Sequence, residues 1–556
     1  MQVAVEPGIR TRARPAARPA LLLVGALTAL GLLLRLPSFE DALYGDELST
    51  WFIVTDGGPG RVIDLLQGNS VDLNPPLFFL VAWVTAHLGD APQLIRLPSL
   101  LAGTAAIPLT YLLGTWTVGR RAALVGAALI ALSPFLIFYT TEARAYGLVL
   151  LLVVATALAL LRALDTGAFG WWAAYAACSC ALIYTHYPPV FLLGVQFVWV
   201  FLTRPEARRA LLAANAAAAI GYLPWLGTVL DNTGSPGAKT IGILNPFGVD
   251  AITGDLGRWA VGHPYIPLGT VPGALAIALL VAGCAVAVAG IALRLRAGQP
   301  QSRWRLPWGL GFVLLLALAC PVGLALYSAV GDSVWEARNL TPSWPGLALA
   351  LGALVTAPAG VLRPVAVVLV LAAFAIGGAK MLEASSQRPD YDELAQFVDS
   401  RPGVVAEVSA PSPGPLAPFG DVALPGSRDG ATRQRVLRVG SAPLQDQLRA
   451  RPYSPVPAPP ADAVARRAAL LARGGSLFLV APGAAPLEAL RNGDVTAAGA
   501  GLEATFGDGP PAALMVATLA PLRQFLSALP PDLRHVETRT FDGFMPVTVY
   551  VFRDER

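Results

Sequence analysis

Residues 119–154 read GRRAALVGAALIALSPFLIFYTTEARAYGLVLLLVV. Arg120 and Arg121 open an apolar run, the short polar stretch Thr140-Thr141-Glu142-Ala143-Arg144-Ala145 interrupts it, and a second apolar run follows with almost no loop. Crossing about 30 Å of hydrocarbon takes about 20 apolar residues as a helix. The stretch therefore predicts two membrane helices, with arginines at one bilayer face and a carboxylate and an arginine at the other.

The same reading extends in both directions. It predicts eleven spans, over 19–37, 95–117, 122–140, 147–163, 170–186, 189–203, 210–229, 270–293, 306–329, 340–358 and 362–380. Arginines gather at alternate connections: the N-terminus (Arg10, Arg12, Arg14, Arg18), Arg120-Arg121, Arg162, Arg204 with Arg208-Arg209, Arg294 through Arg305, and Arg363. This is the positive-inside pattern, which puts those connections and the N-terminus in the cytoplasm. Residues 38–94, 141–146, the neighbourhood of His186, 230–269, 330–339 and everything after 380 then face outward from a plasma membrane. The apolar segment Leu77–Leu88 is too short to span, and counting it would invert every later loop. It reads as a helix lying in the interface, opened by Asn74-Pro75-Pro76.

Composition agrees with a bilayer protein: 55% of the 556 residues are hydrophobic and 14% charged. The net charge of +4 is spread over short clusters between apolar runs, so it reads as topology signal and not as a nucleic-acid surface. Cys178, Cys180, Cys284 and Cys320 all lie in apolar stretches, where they read as small core side chains and not as a disulfide framework. The N-terminal arginines and the run Leu21–Leu34 could pass for a signal peptide, but no small-residue cleavage pattern follows, so the segment is read as a retained span.

The chain thus divides into a polytopic membrane domain, 1–380, with a first outer loop at 38–94, and a soluble domain, 381–556. In the latter, Tyr391–Asp399 and Asp462–Arg473 read as helices, Val404–Val408, Ser476–Val480 and Val547–Phe552 as strands, and Pro452–Pro460 as a connector. A small α/β sandwich is expected.

Three polar groups fall on the outer side. Tyr44-Gly45-Asp46-Glu47 follows the first span, and its spacing suits Asp46 as the cap of a helix beginning at Glu47. Glu142, Arg144 and Tyr146 lie between the third and fourth spans, where an ion pair in the headgroups is the plain alternative. His186, one of four histidines, precedes Tyr187-Pro188-Pro189. A carboxylate, an acid–arginine pair and a histidine therefore share one membrane side, each at a helix end.

At these residues the chain resembles the GT-C superfamily of membrane glycosyltransferases, above all the protein O-mannosyltransferase and aminoarabinose-transferase-like branch (glycosyltransferase family 39-like). The matching elements run in order: Gly45-Asp46-Glu47, Asn74-Pro75-Pro76-Leu77, Arg96-Leu97-Pro98-Ser99, Gly119-Arg120-Arg121, Ser133-Pro134, Glu142 to Tyr146, His186-Tyr187 and Arg338-Asn339-Leu340-Thr341-Pro342. Asn339 stands where that branch usually has tyrosine, and the C-terminal domain carries no motif. The resemblance implies a GT-C fold and an inverting transferase. It would move a hexose or pentose, mannose or arabinose among them, from a polyprenyl-phosphate donor to a cell-envelope glycan, lipid or protein. It implies Asp46 as base, with Glu47 orienting the acceptor or a cation. Arg144 and Arg338 would hold the phosphate with Glu142, Tyr146, His186, Tyr187 and Lys239 nearby. A divalent cation, Mg2+ or Mn2+, at Asp46 and Glu47 is left open, since no ligand spacing demands one. The rival from another class is a lipid or solute transporter, which would keep its polar groups nearer the midplane.

Overall fold

Long apolar helices make up most of the computed structural model, which describes residues 18–67, 72–232, 246–296, 308–408, 436–440, 458–483, 487 and 510–554. Lys239, Gly234, Pro236 and Gly237, most of the Pro-rich connector and the arginines before Arg18 lie outside the described residues. Among those described, seven helices are long and apolar enough to cross a membrane: Arg18–Glu40, Pro92–Thr117, Tyr146–Thr166, Pro205–Asn232, Gly269–Arg296, Trp308–Val330 and Leu362–Lys380. The protein is a multi-pass membrane protein.

The eleven expected spans all coincide with helix, but four fall short of that length. Helix α1 (Arg18–Leu33) is followed by α2 (Leu36–Glu40), α3 (Asp46–Thr55), α4 (Pro59–Leu66), α5 (Leu77–Ala86) and α6 (Leu97–Thr117). The expected span 122–140 is divided into α7 (Arg120–Leu132) and α8 (Pro134–Tyr139), because Ser133 leaves helical geometry and its Oγ accepts the Leu136 N–H. Helix α9 (Tyr146–Thr166) is full length, whereas α10 (Phe169–Thr185) has 17 residues and α11 (Pro189–Thr203) 15. Then come α12 (Arg208–Asn232), α13 (Val249–Val261), α14 (Ala274–Arg296) and α15 (Trp308–Val330). The expected span 340–358 opens as a 3-10 turn, Ala337–Ser343, before the 13-residue α16 (Trp344–Thr356), and α17 (Leu362–Lys380) closes the bundle.

Small residues let the inner helices approach closely, as membrane packing requires. A Cβ on Gly352 of α16 would sit 2.4 Å from the Ala122 carbonyl oxygen of α7, and one on Gly126 would sit 2.8 Å from Leu349 Cδ2. A Cβ on Gly147, near the start of α9, would meet the Ser99 carbonyl oxygen of α6 at 2.3 Å. At the basic end of the bundle, arginines donate to the unpaired carbonyls of helix C-termini: Arg208 Nε to Phe201 at 2.7 Å, and Arg363 Nε to Thr356 at 2.9 Å.

Beyond α17, α18 (Tyr391–Asp399) leads into a five-stranded sheet of order β2-β1-β3-β5-β4. Its strands are β1 (Gly403–Val408), β2 (Val436–Val439), β3 (Ser476–Pro482), β4 (Leu533–Phe541) and β5 (Val547–Asp554). β1 is parallel to β2 and β3, while β5 is antiparallel to β3 and β4. Helix α18 buries Tyr391, Leu394, Phe397 and Val398 against Val405, Phe478, Val549 and Val551 on one face. Helices α19 (Ala461–Leu471) and α20 (Pro510–Ser527) pack beside β1 and β2. A sheet covered on both faces explains the near-continuous apolar runs of β1 and β3. The strands β2 and β4 and helix α20 were not expected from the sequence. β4 alternates buried and exposed positions weakly, with a register shift between His535 and Glu537.

Candidate active site

The start of α3, the ends of α8, α9 and α10 and the turn before α16 bring the expected polar residues together. Gly45 precedes α3 at φ 61°, a left-handed conformation that glycine adopts without strain. The helix starts at Asp46, and no side chain caps it. Asp46 is therefore not the N-cap that its spacing suggested. Its Oδ2 instead accepts from Arg338 Nη1 at 2.7 Å and lies 4.0 Å from Arg144 Nε, with a third of the side chain exposed. Burial would raise the Asp46 pKa, but Arg144 and Arg338 outweigh it and hold the carboxyl below its ordinary range.

Glu47 has a different place. It is fully buried, and Arg96 grips it with a fork, Nε to Oε1 and Nη2 to Oε2, both at 2.6 Å. Arg388 Nε lies 3.1 Å from Oε2, and the Ala143 N–H donates to Oε1 at 2.8 Å. Glu47 thus faces two arginines and two backbone amides, those of Ala143 and Tyr44, and has no exposed oxygen to offer an acceptor or a cation, contrary to the expectation from the resemblance. Arg96 also donates to the carbonyls of Phe39 and Ala42 at 2.8 Å, so the Arg-Leu-Pro-Ser element is what holds the loop before Asp46.

The turn carrying Glu142 and Arg144 is pinned by Ser99 Oγ, which donates to the Arg144 carbonyl at 2.5 Å. Arg144 itself forks onto Asp72, with Nη1 to Oδ2 at 2.5 Å and Nη2 to Oδ1 at 3.3 Å, and lies over the Phe79 ring of α5. Asp72 was not among the expected site residues, although its position two before Asn74 is an Asx-turn signal: Oδ1 accepts the Asn74 N–H at 3.1 Å. Glu336, also unexpected, accepts from Arg338 Nε. The Asp72 and Asp46 charges raise the Arg144 pKa against the effect of burial.

His186 is buried between two amides, Nδ1 3.2 Å from Asn74 Oδ1 and Nε2 3.1 Å from Asn339 Oδ1, and its ring meets that of Tyr146 edge to face at 5.6 Å. Asn339, the departure from the family pattern, thereby ties the turn before α16 to the end of α10. The Tyr187 hydroxyl accepts from Trp225 Nε1 of α12 at 3.3 Å. Glu142 is buried, and its Oε2 has no hydrogen-bond partner among the described residues. Burial first, then Asp46 and Glu47, push its pKa up to about 8, against the pull of Arg388 and Arg144. The shift favours the protonated carboxyl, a form that can donate a hydrogen bond. Among the described residues no three His, Cys, Asp or Glu side chains converge as metal ligands. Asp46 and Asp72 each face an arginine.

Residues 73–229 match the family described as dolichyl-phosphate-mannose-protein mannosyltransferase. The chain is similar along 96% of its length to 98% of ArnT from Cupriavidus metallidurans bound to undecaprenyl phosphate, with a TM-score of 0.52 at 16% identity. The fold is that of the GT-C membrane glycosyltransferases. For the apo state of that ArnT the TM-score is 0.49 at 16% identity, over 85% of this chain and 94% of that one. The Archaeoglobus fulgidus oligosaccharyltransferase tethered with an acceptor peptide gives 0.49 at 13% identity, over 90% of this chain and 72% of that one. No curated protein matches by sequence. The family match covers α5 through most of α12, and so includes Arg96, Glu142, Arg144 and His186.

Proposed function

We propose that this chain transfers a hexose or pentose from a polyprenyl-phosphate carrier to a hydroxyl-bearing cell-envelope acceptor, on the non-cytoplasmic side of the membrane. The observation that carries the reading is the partly exposed Asp46 carboxylate held jointly by Arg338 and Arg144 at one end of the helical bundle. Two guanidinium groups converging on one anion form a ready phosphate clamp. The ArnT of the same fold was crystallised with undecaprenyl phosphate, which supports a lipid phosphate as the ligand here.

In this reading Asp46 occupies the clamp until the donor arrives. The donor phosphate draws Arg338 and Arg144 toward itself, and Asp46, losing its counter-ions, becomes a stronger base. Asp46 takes the proton of the acceptor hydroxyl as that oxygen bonds to the anomeric carbon. The bond from that carbon to the phosphate oxygen breaks, and the electron pair leaves with the polyprenyl phosphate. The added negative charge is what the two arginines stabilise more strongly than in the ground state. Protonated Glu142 donates to a sugar hydroxyl, and His186 ties together Asn74 and Asn339, neighbours in the chain of Asp72 and Arg338.

The test is transfer of radiolabel from a panel of polyprenyl-phosphate sugars by the purified protein in membranes, with Asp46→Asn in parallel. Donor-dependent transfer that the substitution abolishes supports the reading and names the sugar. Failure to bind or turn over any donor overturns it.

A further inference from the structure

Arg388 lies just past α17, where the chain leaves the bundle for the C-terminal domain, yet it reaches back into the site. Its backbone N–H donates to Asp41 Oδ2 at 3.1 Å, its Nη1 to the Ser38 carbonyl at 3.1 Å, and its Nε lies 3.1 Å from Glu47 Oε2. The guanidinium sits 4.9 Å from the centre of the Phe138 ring of α8. Next to it, Ser38 Oγ donates to Gln387 Oε1 at 2.7 Å.

The rest of the C-terminal domain adds to this grip. The Tyr44 ring stacks on Tyr391 of α18 at 6.3 Å and meets Phe544, between β4 and β5, edge to face at 5.5 Å. Its hydroxyl donates to Met545 Sδ at 2.9 Å. Phe544 also packs against Phe138, His263 and Tyr265 at ring distances of 5.2 to 5.6 Å. The loop that presents Asp46 is thus held from below by Arg96 and from above by the C-terminal domain, and the two arginines meet on Glu47.

We propose that the C-terminal domain is a working wall of the transfer site and that Arg388 is a positioning residue for Asp46, acting through Glu47. Glu47 adjoins Asp46 in the first turn of α3 and binds the amide of Ala143, beside Arg144. A shift of Glu47 therefore moves the base and one half of the phosphate clamp together. Misplacing a reacting group by about 1 Å costs about 100-fold in rate. A domain that merely recruited the acceptor would act on KM and leave kcat alone. The inference rests on the glycosyl-transfer reading, which the wild-type protein tests separately.

The experiment measures kcat and both KM values for the full-length protein, its Arg388→Met and Arg388→Lys variants, and Phe544→Ala as a break in the same docking from the domain side. The expected result is a fall in kcat of about 100-fold for Arg388→Met, with KM for donor and acceptor nearly unchanged and partial recovery in Arg388→Lys. Should Arg388→Met not fold, Phe544→Ala is expected to lower kcat with the same unchanged KM values. Wild-type kcat with a raised acceptor KM overturns the proposal. Equal losses in the Lys and Met variants that track a lower unfolding temperature also overturn it. An active wild type with an unimpaired Arg388→Met sinks this inference alone, whereas a wild type silent with every donor sinks the transfer reading and this inference with it.

Discussion

Arg338 Nη1 donates to Asp46 Oδ2 at 2.7 Å although 292 positions of chain separate the two residues. The contact joins the turn before α16 to the start of α3, and it places a strong cation on a carboxylate that is partly open to solvent. A base neutralised in this way is weak until something else claims its partner.

Asp46→Asn should abolish transfer, by about 100-fold or more, while binding of polyprenyl phosphate is kept or tightened, because the amide no longer competes for the two arginines. Turnover and equilibrium binding of the lipid phosphate by the same preparation check this. Loss of both together would mean that Asp46 supports the fold and not the chemistry.

The release of Asp46 by the donor also predicts a difference between two pH profiles. The acid limb of kcat/KM reports the free enzyme, where Arg144 and Arg338 hold Asp46 below its ordinary range. The acid limb of kcat reports the donor complex, where that help is withdrawn, so it should lie at higher pH. Coincident limbs would argue against a shared clamp.

Replacing Arg144 or Arg338 by lysine keeps the charge and loses the fork. Each change should raise KM for the donor about tenfold or more, since a hydrogen bond to a charged group contributes about 1.5–3 kcal/mol. Steady-state kinetics over a range of donor concentrations decides it.

Glu142 gives a stability prediction whose sign follows from its raised pKa of about 8. A carboxyl that binds its proton more tightly in the folded state contributes stability that is complete below its ordinary range and lost as pH rises through about 8. The unfolding temperature in detergent should fall as pH rises from about 4.5 to about 8 and level off above it, and Glu142→Gln should remove most of that slope.

Glu47→Gln should be costly for a different reason. It leaves Arg96 and Arg388 buried without their shared counter-ion, and breaking such a pair costs about 3–5 kcal/mol. Loss of folded protein in expression and thermal assays checks it, and a stable, inactive Glu47→Gln would point to direct contact with substrate.

Much of the architecture was legible because lipid permits so few solutions. The apolar periods and alternating arginines mark the helices of the bundle, and the short Leu77–Leu88 run is the ten-residue helix α5. In the C-terminal domain, Tyr391–Asp399 and the apolar runs of β1, β3 and β5 carry their own signals, whereas β2 and the partly exposed β4 do not. The ordered motifs marked Asp46, Glu142, Arg144, His186 and Arg338 as one group. Asp72 and Glu336 escaped because a lone carboxylate in a loop looks solvated until an arginine is found beside it.

By itself, then, the sequence determined the polytopic helical architecture, the separate α/β domain and the polar residues that gather at one end of the bundle. Those features follow from local hydrophobicity and from motif order along the chain. Only the tertiary structure decided which of two adjacent carboxylates is available, Asp46 partly exposed in an arginine clamp and Glu47 sealed between Arg96 and Arg388. The reason is physical: a carboxylate's role depends on its solvation and on the charges around it, and here those charges come from positions 96, 144, 338 and 388, which no local pattern connects.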